Sequence, residues 1–410
     1  MCAQEKDPFY STLIFGSAIA LGIISGLLQL EWIEKTAEII SELFISLLKL
    51  ISLPIIFLSI ISTSTGMENL QQIKQLGKKV LKYTLLTTLL AATLSFFLFL
   101  FIWPVGHSQE FFSSSILEKS SQPSYLTFFL QIIPSNVVQP FNENNVIGVL
   151  FLALLLSFAI ISLQPEPKRI LHSFFSSFYL AVMKITQWIV KAMPLAIWAF
   201  LVLFIRDLQK GLPFKSLALY LTCVVSANLI QALVVLPVLL KIKGLKPFEL
   251  FIKVFPALSV AFFAKSSTAA LPMSMRYAEK NAGISKQVAS FSLPLCTTVN
   301  MNGCAAFIFI TVLFVSMAEG MVYTPLEMSF WIILSTIAAI GNAGVPMGCY
   351  FLASAFLANM GVPLTILGII LPFYAFIDML ESSINVWSDL SVTALVHQEL
   401  KKENSIFAAT

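Results

Sequence analysis

Residues 364–396 read LTILGIILPFYAFIDMLESSINVWSDLSVTALV, and this stretch decides the kind of fold the chain adopts. A helix that crosses a bilayer needs about 20 mainly apolar residues, and the stretch exceeds that length. Its apolar run is interrupted by Asp378, Glu381, Asn385 and Asp389. Relative to Asp378 these fall at offsets of three, seven and eleven, which repeat along one helical face. The result is a polar stripe on an otherwise apolar helix. Each carboxylate near the centre of a bilayer costs about 2.5–3.5 kcal/mol on insertion scales, and such residues generally mark a substrate or ion pathway. The plain alternative is a buried structural contact in which Lys265 pairs with Asp378 or Glu381.

The rest of the chain supports a membrane setting. Of 410 residues, 58% are hydrophobic and only 11% charged, and the mean hydropathy is +0.88. Soluble domains carry nearer a quarter charged residues. The 36 phenylalanines suit a lipid-facing surface. A net charge of +4 is too small to indicate a nucleic-acid partner. The five cysteines (Cys2, Cys223, Cys296, Cys304 and Cys349) show no metal-ligand spacing and no disulfide framework. His107, His172 and His397 read as loop or helix-flanking residues and form no metal set. There is no Ser/His/Asp or Cys/His constellation, no phosphate-binding loop and no dinucleotide fingerprint. An enzyme and an ATP-driven pump are therefore not expected, and neither is a cofactor.

The apolar segments run from Leu13 to Leu30, Ile39 to Ser62, Val80 to Trp103, Phe174 to Ile205 and Leu217 to Leu240. A broken apolar region covers Tyr125 to Leu163, interrupted by Pro134 and by Asn142-Glu143-Asn144-Asn145. The polar stretch His107 to Gln122 reads as an exposed loop. The first apolar run reads as a retained span rather than a cleaved signal peptide. One set of alternate loops holds Lys74, Lys78, Lys79, Lys82, Lys168, Arg169, Lys241, Lys243, Lys246, Arg276, Lys280, Lys286, Lys401 and Lys402. The opposite set holds only Lys35, Lys119, Arg206, Lys210 and Lys215. By the positive-inside rule both termini lie in the cytoplasm, which requires an even number of spans.

Three further places break the pattern. AKSSTAALP, from Ala264 to Pro272, follows too few apolar residues for a full crossing and return, and reads either as a re-entrant hairpin tip or as an ordinary cytoplasmic loop. TTVNMNGC, from Thr297 to Cys304, lies inside an apolar run from about Val288 to Val315. Its Asn300, Asn302 and Gly303 either unwind the helix and free carbonyl oxygens for a cation, or glue two helices together. IGNAGVPMG, from Ile340 to Gly348, has three glycines and a proline in nine residues, which suggests a second tip.

In this order and spacing, the segments resemble the dicarboxylate/amino acid:cation symporter family. The serine-rich tip ending in Leu-Pro is SSTAALP. The Leu-Pro-Leu…Thr-x-Asn-Met-Asp-Gly-Thr helix is LPLCTTVNMNGC. Ala-Gly-Val-Pro is identical at Ala343 to Pro346, and Asp…Asn-Val…Asp-Leu is matched by Asp378, Asn385-Val386 and Asp389-Leu390. Weaker similarity runs through LKLISLPIIFLSII and the lysine-rich loop after it. The resemblance implies an all-α membrane protein of eight transmembrane helices and two re-entrant helical hairpins, assembled as a homotrimer. Residues 1–250 would be mainly scaffold, with the third span, about 80–103, joining a mobile transport core of residues 251–400 that works as an elevator. It implies that Asp378 holds the substrate amino group, that Ser382 and Asn385 lie near its α-carboxylate, and that Ser267 and Val345 contribute backbone contacts. Cys304 stands where the motif's last threonine lines the substrate site. Asn300, Asn385 and Asp389 match one sodium site, and Thr298 with the 339–342 backbone matches another.

Three departures bear on function. Glu381 stands where acidic-amino-acid transporters place an arginine. Asn302 replaces the aspartate of Asn-Met-Asp-Gly-Thr, a ligand of a further sodium site. Thr84 aligns with a third-span tyrosine near that site. The expected activity is symport of a small amino acid or dicarboxylate with sodium, or with protons if a buried Glu381 carries them. Glu381 favours a neutral or basic substrate. The alternatives are a glutamate or aspartate symporter that uses Lys265 as its positive charge, and an ion- or anion-conducting channel. The expected location is the inner (plasma) membrane.

Overall fold

The computed structural model describes residues 8–65, 70–105, 133–143, 145–209, 214–342, 344 and 347–407. The polar stretch His107 to Gln122, the start of the broken region at Tyr125, and Ala343, Val345 and Pro346 of the second tip lie outside them. The described residues form helices α1 (Pro8–Leu27), α2 (Glu31–Thr65), α3 (Leu70–Ile102), the single turn α4 (Gln139–Asn142), α5 (Val146–Ser162) and α6 (Pro165–Gln209). Next, α7 (Phe214–Ile230) passes through a π-helical turn (Gln231–Val235) into α8 (Leu236–Ile242). The remainder is α9 (Pro247–Ala264), α10 (Ser267–Lys280), α11 (Lys286–Val299), α12 (Asn302–Ala318), α13 (Pro325–Gly341), α14 (Gly348–Asn359) and α15 (Thr365–Phe407).

Five helical stretches among these are long and apolar enough to cross a bilayer: Leu76–Ile102, Phe214–Ile242, Pro247–Ala264, Lys286–Ala318 and Thr365–Lys401. A sixth is α6 if its two halves, bent by 43°, count as one span. Leu21, Trp32, Leu50, Phe101, Phe158, Trp188 and Phe263 are exposed, which suits hydrocarbon and not water. The chain is a multi-pass membrane protein.

Two details differ from the sequence expectation. The arm before the first tip begins at Pro247, where proline suits the first helical turn, and α9 reaches a length that could cross. His172 and His397 lie inside α6 and α15 because both helices outrun their apolar segments; Thr65 Oγ1 sits 2.9 Å from His172 Nδ1.

Helices α1, α2, α5 and α6 pack mainly on one another. The second group centres on α12, buried along its whole length and packed against α3, α7, α13, α14 and α15. Contacts of α14 with α2, and of α15 with α6, join the groups. Lys79 reaches Glu399 at 3.7 Å at one end, and Arg206 reaches Glu38 at 2.6 Å between α6 and α2.

Candidate functional site

The helix stops at Asn300 and Met301, with φ/ψ of −94/73° and −108/68°, and restarts at Asn302. A helix interruption leaves carbonyls without partners on one side and N–H groups on the other. One of those N–H groups is claimed by α15: Gly303 N donates to Asn385 Oδ1 at 2.9 Å. The break is thus fastened to the polar stripe of the last helix.

The turn between α9 and α10 is made by Lys265, left-handed at φ 52°, and Ser266. Ser266 Oγ accepts from Ala269 N at 3.3 Å and donates to Gly344 O at 3.1 Å. Gly344 has φ 68°, and a Cβ there would stand 2.7 Å from Thr297 O and 2.8 Å from Thr268 Oγ1. Only glycine fits so close an approach in that conformation. The first tip, the second tip and the break therefore meet at one point, although they are far apart in sequence.

A small buried cavity lies there, lined by Ser267, Met301, Asn342, Gly344, Cys349, Asp378, Glu381, Ser382 and Asn385. Of the residues singled out from the sequence, Ser267, Asp378, Glu381, Ser382 and Asn385 line this one cavity. Val345 falls outside the described residues. Cys304 is not among the lining residues; its thiol lies beside that of Cys349, which is. Asp378 accepts from Tyr374 Oη at 3.3 Å and from the backbone N–H of Met347. Lys265 acts on Asp378 electrostatically. Glu381 is 1% exposed, and neither of its carboxyl oxygens has a hydrogen-bond partner. The Cys349 thiol and the Tyr374 hydroxyl approach it without reaching hydrogen-bond geometry. A buried acceptor without a donor is costly, which makes this carboxyl a candidate to hold a proton or a ligand.

Asp389 lies one step beyond the cavity, below the break. Asn300 Nδ2 donates to its Oδ1 at 2.9 Å, while its Oδ2 has no partner. An orphan carboxylate oxygen beside unwound backbone suits a hard cation, which takes oxygen ligands. Asn300 and Asn385 adjoin this place, but their side-chain oxygens already accept hydrogen bonds, and the carbonyl of Asn385 lies inside α15, so the backbone carbonyl at the unwound Asn300 is what remains for an ion. Thr298 does not reach the cavity: its Oγ1 donates to Leu295 O at 2.8 Å. It sits next to Thr297, whose carbonyl meets the second tip.

Sequence reasoning missed a second layer. Thr87 on α3, Asn228 on α7, Gln231 at the π turn and Ser388 on α15 are all fully buried around the break. Asn228 Oδ1 and Glu381 both pack on Gly303, within 2.9 and 3.0 Å of where its Cβ would be. The available signal was Asn228 and Gln231 three residues apart in the apolar run Leu217 to Leu240.

Buried carboxylates in a cavity where the helix break meets the turn after α9, with apolar surface outside, suit the passage of a small polar molecule through a membrane. The chain matches the model of the sodium:dicarboxylate symporter family over residues 11–399, and it belongs to that family. It is 26% identical to the human neutral amino acid transporter B(0), in a match covering 96% of this chain and 80% of that protein. It is also 26% identical to the L-cystine uptake protein TcyP of Bacillus anthracis, covering 93% and 88%. A match to neutral amino acid transporter A of Bos taurus has the same identity and covers 87% and 75%.

Proposed function

We propose that this protein is a symporter that couples inward movement of a neutral or basic amino acid to sodium, with alternating access of the elevator type. The observation that carries the reading is the pair of buried carboxyls, Asp378 and Glu381, on one wall of the cavity. Asp378 pairs with the α-ammonium. Ser382 and Asn385 serve the α-carboxylate, together with backbone of the two tips at Ser267 and Val345. Glu381 faces the side chain. A carboxylate on the substrate would be repelled there by about 4 kcal/mol at 4 Å and an effective dielectric of 20. The names of the relatives, neutral amino acid and cystine transporters, agree with a substrate other than an acidic one.

In this reading α9–α10 and α13–α14 are re-entrant hairpins, and eight spans surround them. The two packing groups support a scaffold of α1, α2, α5 and α6 and a transport core built on α3 and α7 to α15, so that α7 and α8, which fall within residues 1–250, join the core and not the scaffold expected from the sequence; the scaffold also carries a trimer interface. The lysine-rich loops support cytoplasmic termini, and the plasma membrane is the location in this reading. A second reading, transport of glutamate or aspartate, rests on Lys265, which would have to leave Asp378 to receive the extra carboxylate.

The test is competition in proteoliposomes: unlabelled glutamate, serine and lysine against whichever amino acid is taken up. Glutamate is expected to compete worst, and Glu381→Arg to improve its binding. Glutamate competing best in the wild type, with no gain in Glu381→Arg, rules the side-chain assignment out. Uptake that does not saturate, and persists without a cation gradient, favours a channel.

A further inference from the structure

The family resemblance implies a cation beside position 302, where the motif carries an aspartate; here the donor set of that place can be read atom by atom. We propose that this place is filled by two side-chain amides, those of Asn302 and Gln231, and takes no cation, so the protein couples fewer cations to each substrate than an aspartate at 302 would allow. The proposal rests on the symporter reading above.

The orientation of every amide follows from two fixed acceptors. At one end is the backbone carbonyl of Thr87. Gln231 Nε2 lies 3.1 Å from it and 2.8 Å from Asn302 Oδ1, so the nitrogen of Gln231 must face this way. Asn302 therefore presents its oxygen to Gln231 and its Nδ2 to the other side, where it donates to Ser388 Oγ at 2.7 Å and Asn300 Oδ1 at 3.0 Å. Asn300 then turns its Nδ2 to Ser388 Oγ and to Asp389 Oδ1, each at 2.9 Å. The Asp389 carboxylate is the fixed acceptor at the far end, and it requires that same orientation. Flipping any one amide sets oxygen against oxygen or N–H against N–H.

The consequence concerns charge. The side-chain oxygens that would face a cation beside residue 302, those of Asn300, Asn302 and Ser388, are already taken by hydrogens, while Gln231 Oε1, turned to the side opposite its Nε2, has no partner. Asn300 Oδ1 receives Thr87 Oγ1 at 2.9 Å as well as Asn302 Nδ2, and Ser388 Oγ receives two amide N–H groups. A cation entering would have to displace the partial positive charge of these donors, with no formal charge on residue 302 to compensate. All of Thr87, Gln231, Asn300, Asn302 and Ser388 are at most 1% exposed, so water does not relieve the conflict. Gln231 is delivered by the π turn, a local widening of the helix that often marks functional positions. The turn is held in place by Trp387, whose Nε1 donates to Ala232 O at 3.0 Å.

The experiment measures the coupling ratio of the full-length protein in proteoliposomes. Imposed sodium gradients and membrane potentials are set against substrate flux to find where net flux reverses. Wild type is compared with Asn302→Asp and Gln231→Met, and melting temperature is recorded for each. Asn302→Asp is expected to couple more sodium per substrate and to show a steeper sodium dependence. Gln231→Met is expected to melt at lower temperature with the coupling ratio unchanged. Equal ratios in wild type and Asn302→Asp overturn the proposal, and so does a lower ratio in Gln231→Met, which would make Gln231 part of a working cation site. If Asn302→Asp does not assemble, the Gln231→Met ratio decides alone. Absence of gradient-driven uptake in the wild type is a different result: it removes the symporter reading, and the proposal with it.

Discussion

Three buried carboxyls, Asp378, Glu381 and Asp389, differ in their surroundings. In the proposed function Asp378 faces a ligand ammonium, and a charge-assisted contact of this kind is worth roughly 1.5–3 kcal/mol. Asp378→Asn is therefore expected to weaken amino acid binding by about 10- to 150-fold while the protein still assembles; binding within a factor of about two of wild type, in calorimetry, would contradict the role. Asp389 keeps one oxygen free of any partner at the break. A cation leaving water needs a countercharge, so Asp389→Ala is expected to abolish sodium-driven uptake, and unchanged uptake would remove that ion site. Glu381 was legible in the sequence as a member of the polar stripe. Its isolation from every donor was not, because that depends on Cys349 arriving from α14, and Tyr374 from two turns back on α15, without bonding it. Asn228 and Gln231 were not legible as part of the site either, since two amides in an apolar helix read equally well as helix-packing contacts.

At the scale of elements, the breaks in hydropathy carried the most information. The interruption at Asn300 and Met301, the first tip at Lys265 and Ser266, and the second tip around Gly344 all fall where Gly, Pro, Ser and Asn interrupt apolar runs. Local composition marks where a helix cannot continue. It does not say that the three interruptions meet, which is a tertiary fact written in the bond from Ser266 to Gly344 and in the missing Cβ of Gly344. The length of α9 was underestimated because Pro247 starts the helix before its apolar run. Gly344→Ala tests the meeting point: a left-handed conformation costs a residue with a Cβ roughly 1–2 kcal/mol, and the added methyl runs into Thr297 O and Thr268 Oγ1. Slowed uptake from an assembled protein is expected, seen as a lower maximal rate; a wild-type rate would mean that the tips do not need this contact.

At the scale of the whole molecule, apolar surface and asymmetric positive charge determine how the chain sits. Lysine-rich ends of α3, α8 and α15 collect on one side, where Lys79 meets Glu399. A fluorescent protein fused after Thr410 is expected to fold and fluoresce, as it does only in the cytoplasm; fluorescence absent from a correctly inserted fusion would reverse the orientation. In the proposed function one cavity takes a non-acidic amino acid and ties its movement to a cation gradient. The direct measurement is uptake of labelled amino acids into proteoliposomes with and without an inward sodium gradient, with serine, lysine and glutamate as competitors. Saturable uptake is expected that stops when the gradient is removed and that serine or lysine suppresses more strongly than glutamate. Uptake indifferent to the gradient, or suppressed most strongly by glutamate, would contradict it.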